Sequence, residues 1–186
     1  MTDELIYDWN LKDAHSNLGR WPIVVVDETL RDGVQSPSVA DPELDQKMEL
    51  VRLMAEMGVG VVDVGLPGAG PRAREHVLEL VRMIRDEKLP IIPNCAARTL
   101  EQDIAPVAEA QQELGFPVEV YTFIGSSPVR QYTEGWTVET IAETSRKAIE
   151  FAVGQGLTVC YVTEDTTRSR PDQLRVLFEN AIDAGA

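Results

Sequence analysis

The sequence predicts an α/β domain built on a parallel sheet. Three observations carry this: short β-branched runs recur from Ile23 onward, longer stretches of helical period separate them, and the units repeat at about 30 residues. Residues 1–22 have no sustained period and read as an N-terminal extension, which leaves 23–186 as the folded part. About five βα units fit there. That count suits two architectures, the first part of an eight-unit barrel and a complete five-stranded doubly wound domain, and periodicity does not separate them.

The expected strands are Ile23–Asp27, Val61–Gly65, Ile91–Asn94, Val118–Phe123 and Thr158–Val162. The first helix is expected to open at Asp41-Pro42, where a carboxylate caps free amides and proline at the first helical position loses no needed hydrogen bond. Leu44, Met48, Val51, Met54 and Met57 then recur at three- and four-residue steps, giving one apolar face that ends at Gly58. Arg72–Glu87 forms a second helix. Thr99 with Gln102 has capping-box spacing and opens a third, Val138–Val153 is a fourth, and a fifth runs from Pro171 through Leu174, Leu177, Phe178 and Ile182 to the end.

Composition removes several classes of function. With 17 basic and 31 acidic residues the net charge is −14, whereas nucleic-acid binding needs a basic footprint. No apolar run approaches the roughly 20 residues of a membrane span. Cys95 and Cys160 lie in apolar segments without metal-type spacing, so they read as small buried hydrophobes in a protein of the reducing cytoplasm. His15 falls in the polar leader and His76 in a helix, neither placed to activate a thiol. An anionic ligand would draw on local cations such as Arg31, Arg98, Arg130, Arg168 or Arg170.

The most informative stretch follows the first strand: Asp27-Glu28-Thr29-Leu30-Arg31-Asp32-Gly33-Val34-Gln35-Ser36-Pro37. It puts a cation beside a carboxylate where a parallel strand ends, the face on which barrels and open α/β sheets bind ligands, and Gly33 permits a sharp turn. An isolated Arg-Asp pair would be an ordinary surface ion pair of little energetic value. The whole run, however, resembles the signature Asp-x-Thr-Leu-Arg-Asp-Gly-x-Gln of the DRE-TIM metallolyases. It is closest to their synthase branch, the isopropylmalate, homocitrate and citramalate synthases. Further segments resemble that family after each later strand: Val62-Asp63-Val64-Gly65-Leu66-Pro67, Ala97-Arg98, Phe123-Ile124-Gly125-Ser126-Ser127-Pro128, and Val162-Thr163-Glu164-Asp165-Thr166-Thr167-Arg168-Ser169. The resemblance runs from about Trp21 to the terminus.

The resemblance implies an incomplete TIM (β/α)₈ barrel and an acyltransferase that condenses acetyl-CoA with a 2-oxo acid, using a divalent metal such as Mg2+, Mn2+ or Zn2+ as Lewis acid. It further implies that Asp32 is a metal ligand, that Arg31 and Glu164 are catalytic, and that Gln35, Asp63, Arg98, Ser126 and Ser127 bind substrate. A homodimer is implied for the full-length enzyme. Family members complete the metal site with a His-x-His pair from a later strand, and these 186 residues contain none. The chain is therefore expected to be an N-terminal part of the barrel, inactive alone.

Two departures bear on the substrate. Asp63 stands where the family usually has Glu, and Arg130 stands near a position where many synthases carry histidine. Such a cation would favour a second carboxylate on the 2-oxo acid or would contact CoA phosphates. Two other activities share these motifs in part: a carbon–carbon lyase of the same superfamily, whose first-strand motif usually differs, and a non-catalytic half-barrel that associates through unpaired strand edges.

Overall fold

A computed structural model of the chain describes residues 23–186, and the expected extension at 1–22 lies outside the described residues. The described residues form β1 (Val26–Asp27), α1 (Leu44–Glu56), β2 (Val61–Asp63), α2 (Pro71–Glu87), β3 (Ile92–Arg98), α3 (Glu101–Leu114), β4 (Glu119–Gly125), α4 (Pro128–Glu134), α5 (Val138–Gly154), β5 (Thr158–Glu164) and α6 (Pro171–Ala184). All four strand pairings are parallel, and the spatial order is the chain order, β1-β2-β3-β4-β5. A doubly wound sheet reverses its strand order partway. Consecutive order with right-handed crossovers instead puts every helix on one face. The fold is thus an incomplete TIM barrel, and the doubly wound alternative is excluded.

The two faces of the strands differ in chemistry. Val62 and Val64 of the β2 segment, Cys95 and Ala97 of β3, Val120 and Ile124 of β4, and Val159 and Tyr161 of β5 join the core beneath the helices. Val77, Leu80, Val81 and Ile84 of α2, Ile104 and Val107 of α3, Ile141 and Ile149 of α5, and Leu177 of α6 meet them there. The opposite strand face carries Asp63, Asn94, Glu119, Tyr121, Cys160 and Glu164, because register partners project to the same side. Cys95 is a buried hydrophobe as expected; Cys160 is only half-buried, on this concave face.

Several expected boundaries move. The register pairs begin at Val26, with the Val25 carbonyl accepting the Val61 amide at 3.1 Å, and Ile23, Val24 and Val25 are exposed. The strands β3, β4 and β5 run on to Arg98, Gly125 and Glu164, further than their apolar runs suggest, because neighbours continue the ladder across polar residues. Asp41 does not cap α1: it takes a 2.6 Å ion pair from Lys47, and the helix opens at Leu44, where Gln46 Oε1 accepts the Glu43 N–H at 3.0 Å. Thr99 does not cap α3 either. The cap position is Leu100, since Asp103 is drawn inward by Arg98. Helix α4 was not expected, although Ser127, Pro128 and Gly135 mark its ends: the Ser127 hydroxyl accepts the Arg130 N–H, proline opens the helix, and Gly135 closes it at φ 67°.

Candidate active site at the strand C-termini

The stretch after β1 folds into tight turns because the Glu28 carbonyl accepts three consecutive amides, those of Arg31, Asp32 and Gly33. A 3₁₀ turn, Gly33–Gln35, follows. This throws the Arg31 side chain back along the strand ends. Its guanidinium reaches three carboxylates through three different nitrogens: Nη2 to Glu28 at 2.7 Å, Nη1 to Asp32 at 3.2 Å and Nε to Asp63 at 3.3 Å. Only Arg has the planar fork of donors for this. Asp63, wholly buried, links the cluster to the sheet, with Oδ1 accepting the Gly65 N–H at 2.9 Å.

Burial dominates the electrostatics. Desolvation pushes the Asp63 carboxyl up to about 7, and nearby Glu28 pushes it the same way, against the Gly65 amide and Arg31, which favour the anion. Burial works against the Arg31 charge too, but Asp63 and Glu28 outweigh it, and the guanidinium is held above its ordinary value. Arg31 therefore remains a cation, while the anion of Asp63 is disfavoured relative to an ordinary aspartate.

Asp32 differs from its neighbours. Its side chain is 68% exposed and its one ion-pair partner among the described residues is Arg31, so it retains free lone pairs at the rim. Glu164, the last residue of β5, is also exposed and lies on the same C-terminal rim, beside Gly125 in the register of β4 and β5. Gln35 is exposed and shares with Arg31 a cleft of about 420 Å³, also lined by Leu66, Lys47, Arg72 and His76.

The remaining candidates are tied into the scaffold. Arg98 grips buried Asp103 through two bonds, Nε–Oδ2 at 2.5 Å and Nη2–Oδ1 at 2.9 Å, though its side chain is partly exposed. Ser126 is buried with its hydroxyl 2.7 Å from that of Ser169, stitching the loop after β4 to the loop after β5. Ser127 is buried and serves as the cap of α4.

Two participants were missed by sequence reasoning. Glu28 lies three residues before Arg31, a spacing that hints at an ion pair in any helical turn. Asn94 gave no signal at all. It is the register partner of Asp63, wholly buried, and neither its Oδ1 nor its Nδ2 is hydrogen-bonded among the described residues.

A divalent cation needs several oxygen or nitrogen ligands. Among the described residues no group of three His, Cys, Asp or Glu side chains is arranged to hold one. Asp32 alone supplies a single carboxylate, so these residues do not constitute a metal site.

The half-barrel carries an arginine, an exposed aspartate and a glutamate on its C-terminal rim, the face on which TIM barrels place their active sites. Residues 22–186 match the HMGL-like family, and the chain belongs to it. Its relatives include the 2-isopropylmalate synthases of Thermosynechococcus vestitus, 33% identical over 165 residues, and Gloeothece citriformis, 34% identical over 165 residues. That of Lactococcus lactis subsp. cremoris is 27% identical over 161 residues. These alignments take in 86–88% of the chain but only 30% of each relative, so the chain spans about 30% of their length. Among solved structures, the carboxyl transferase domain of Rhizobium etli pyruvate carboxylase aligns over 88% of this chain and 38% of its own, at 11% identity and a TM-score of 0.39.

Proposed function

We propose that the chain contributes the Arg31, Asp32 and Glu164 side of an acyltransferase site that condenses acetyl-CoA with a 2-oxo acid. The observation that carries the reading is the Arg31 cluster: a cation fixed by buried Asp63 and by Glu28 beside an exposed carboxylate, on the rim that also bears Glu164. In the reaction the methyl carbon of acetyl-CoA loses a proton and forms a bond to the keto carbon. The keto oxygen takes up a proton, and hydrolysis of the thioester releases CoA and a 2-hydroxy acid with one further carboxylate.

Arg31 would stabilise negative charge on the keto oxygen or enolised thioester, with its own position prepaid by three carboxylate contacts. Glu164 would face the acetyl group or the hydrolytic water. Gln35 would position the bound acid from the cleft it shares with Arg31. A divalent cation would polarise the keto group, with Asp32 as one ligand and the others from outside the described residues. The complete enzyme would be a cytoplasmic homodimer. The named relatives, all synthases, support acyl transfer over carbon–carbon cleavage.

The test is release of free thiol from acetyl-CoA with a panel of 2-oxo acids and Mg2+, Mn2+ or Zn2+. It is run on the 186-residue chain and on a polypeptide that completes the barrel. The completed barrel is expected to turn over, with Arg31→Ala slowing it by about 10²–10³-fold and Asp32→Asn abolishing the metal-dependent turnover. Thiol release by the 186-residue chain alone at a comparable rate would overturn the assignment of the missing ligands.

A further inference from the structure

At the end of β4 the chain holds a second cation over the barrel mouth. Arg130 lies in the first turn of α4, and its side chain folds back across Gly125. A Cβ at Gly125 would lie 2.7 Å from Arg130 Nε and 2.8 Å from its Cγ. Gly125 is the register partner of Glu164, so the guanidinium stem crosses the rim next to the proposed acetyl-facing residue. Two other groups fix it. Glu134 forms an ion pair with Nη1 at 3.2 Å, and the Trp136 ring centroid lies 5.9 Å from Cζ. Trp136 is itself packed against the core.

A surface arginine ordinarily extends into water, where its charge is best solvated. Here a residue without a side chain, an aromatic face and a carboxylate together hold the guanidinium down on the strand end while the side chain stays 45% exposed. Among the described residues Glu134 occupies one edge of the fork, which has five donors in all. The arrangement presents a pre-positioned, partly desolvated cation, which binds a carboxylate more tightly than a free-swinging one because less side-chain freedom is lost. An acceptor with an aliphatic tail has nothing to offer it.

We infer that Arg130 is a specificity-determining residue that selects 2-oxo acids carrying a second carboxylate at the end remote from the keto group. The inference rests on the acyltransferase reading for its choice of ligand, but binding tests it without turnover. Isothermal titration of the chain compares 2-oxoglutarate with 2-oxopentanoate, which has the same carbon chain and lacks the far carboxylate, and a separate titration uses CoA. Wild type is expected to prefer the dicarboxylate about tenfold, and Arg130→Ala to bring the two within about twofold.

Gly125→Ala keeps the charge but displaces the guanidinium from its seat, and is expected to erase the preference as well; circular dichroism verifies that both variants fold. Equal binding of the two acids by wild type, or no binding of either, overturns the inference. So does a preference that both variants retain, or an Arg130→Ala effect confined to CoA, which would make the cation a phosphate contact. The two readings fail separately. Arg130-dependent dicarboxylate binding without thiol release in the completed barrel would sink acyl transfer alone, whereas thiol release with the same acceptor preference in wild type and Arg130→Ala would sink the specificity role alone.

Discussion

Asp63 is the residue on which the site's electrostatics turn. Its folded carboxyl titrates near 7, above the ordinary aspartate value, because burial penalises the anion. Between those two values the folded protein holds a proton that the unfolded chain has released, so folding takes up a proton and raising the pH opposes it. The Asp63 contribution to stability is therefore present in full below about pH 4, declines as the pH rises toward 7, and is level above. Asp63→Asn, which cannot titrate but keeps an oxygen for the Gly65 amide, is expected to flatten this decline, on the order of a few kcal/mol between pH 4 and 8. Urea unfolding at a series of pH values reads it directly, and a variant whose stability tracks wild type across that range would contradict the buried-acid assignment. Arg31 and Asp32 were legible in the sequence because their signature is a contiguous run placed at a strand end. The contact of Arg31 with Asp63 joins residues 32 positions apart, and only strand pairing brings them together. Asn94 was invisible for the same reason: its environment is made by other strands.

At the level of elements, α2, α5 and α6 were legible to within a residue at their starts, α1 and α3 were legible in their middles but not at their caps, and the short α4 was not read at all. The apolar face of α1 follows from the spacing of Val51 and Met54, whereas its start depends on whether Asp41 caps the helix or pairs with Lys47, a tertiary question. The loop from β3 to α3 makes the same point energetically. Asp103 is buried, accepts two bonds from the Arg98 side chain and a longer one from its backbone amide at 3.3 Å, and packs so close to Gly68 that a Cβ there would lie 3.1 Å from Asp103 Cα. Truncating Asp103→Ala leaves an inward-facing gap and orphans the Arg98 amide, and should destabilise the fold by roughly 1–3 kcal/mol in chemical denaturation. Arg98→Ala strands a buried carboxylate and should also destabilise. If instead Arg98→Ala leaves stability unchanged, its guanidinium is free for substrate and the clamp is incidental.

For the molecule as a whole, what decides behaviour is the balance between open sheet edges and net charge. The sheet ends at β1 on one side and β5 on the other among the described residues, and such edges recruit further strands. Apolar side chains stay exposed beside the β5 end: Phe178, Val176 and Ile182, the last 67% exposed, on α6, with Val153 on α5. Five βα units were countable from the sequence, but the order of their strands was not, since that order is a choice among crossovers that periodicity does not record. A net charge of −14 opposes association of two such chains, and salt screens repulsion over a Debye length of about 10 Å at 0.1 M while leaving apolar burial intact. The chain is accordingly expected to self-associate more at about 0.3 M salt than at about 0.03 M, the reverse of an assembly held by ion pairs. Because the described residues hold no three-ligand metal cluster, a chelator should leave the size distribution unchanged. Ile182→Glu, which adds charge to the apolar face, should shift it toward monomer. Sedimentation velocity across that salt range is the measurement, and a distribution that tightens toward monomer as salt rises would show that charge, not the open barrel, controls assembly.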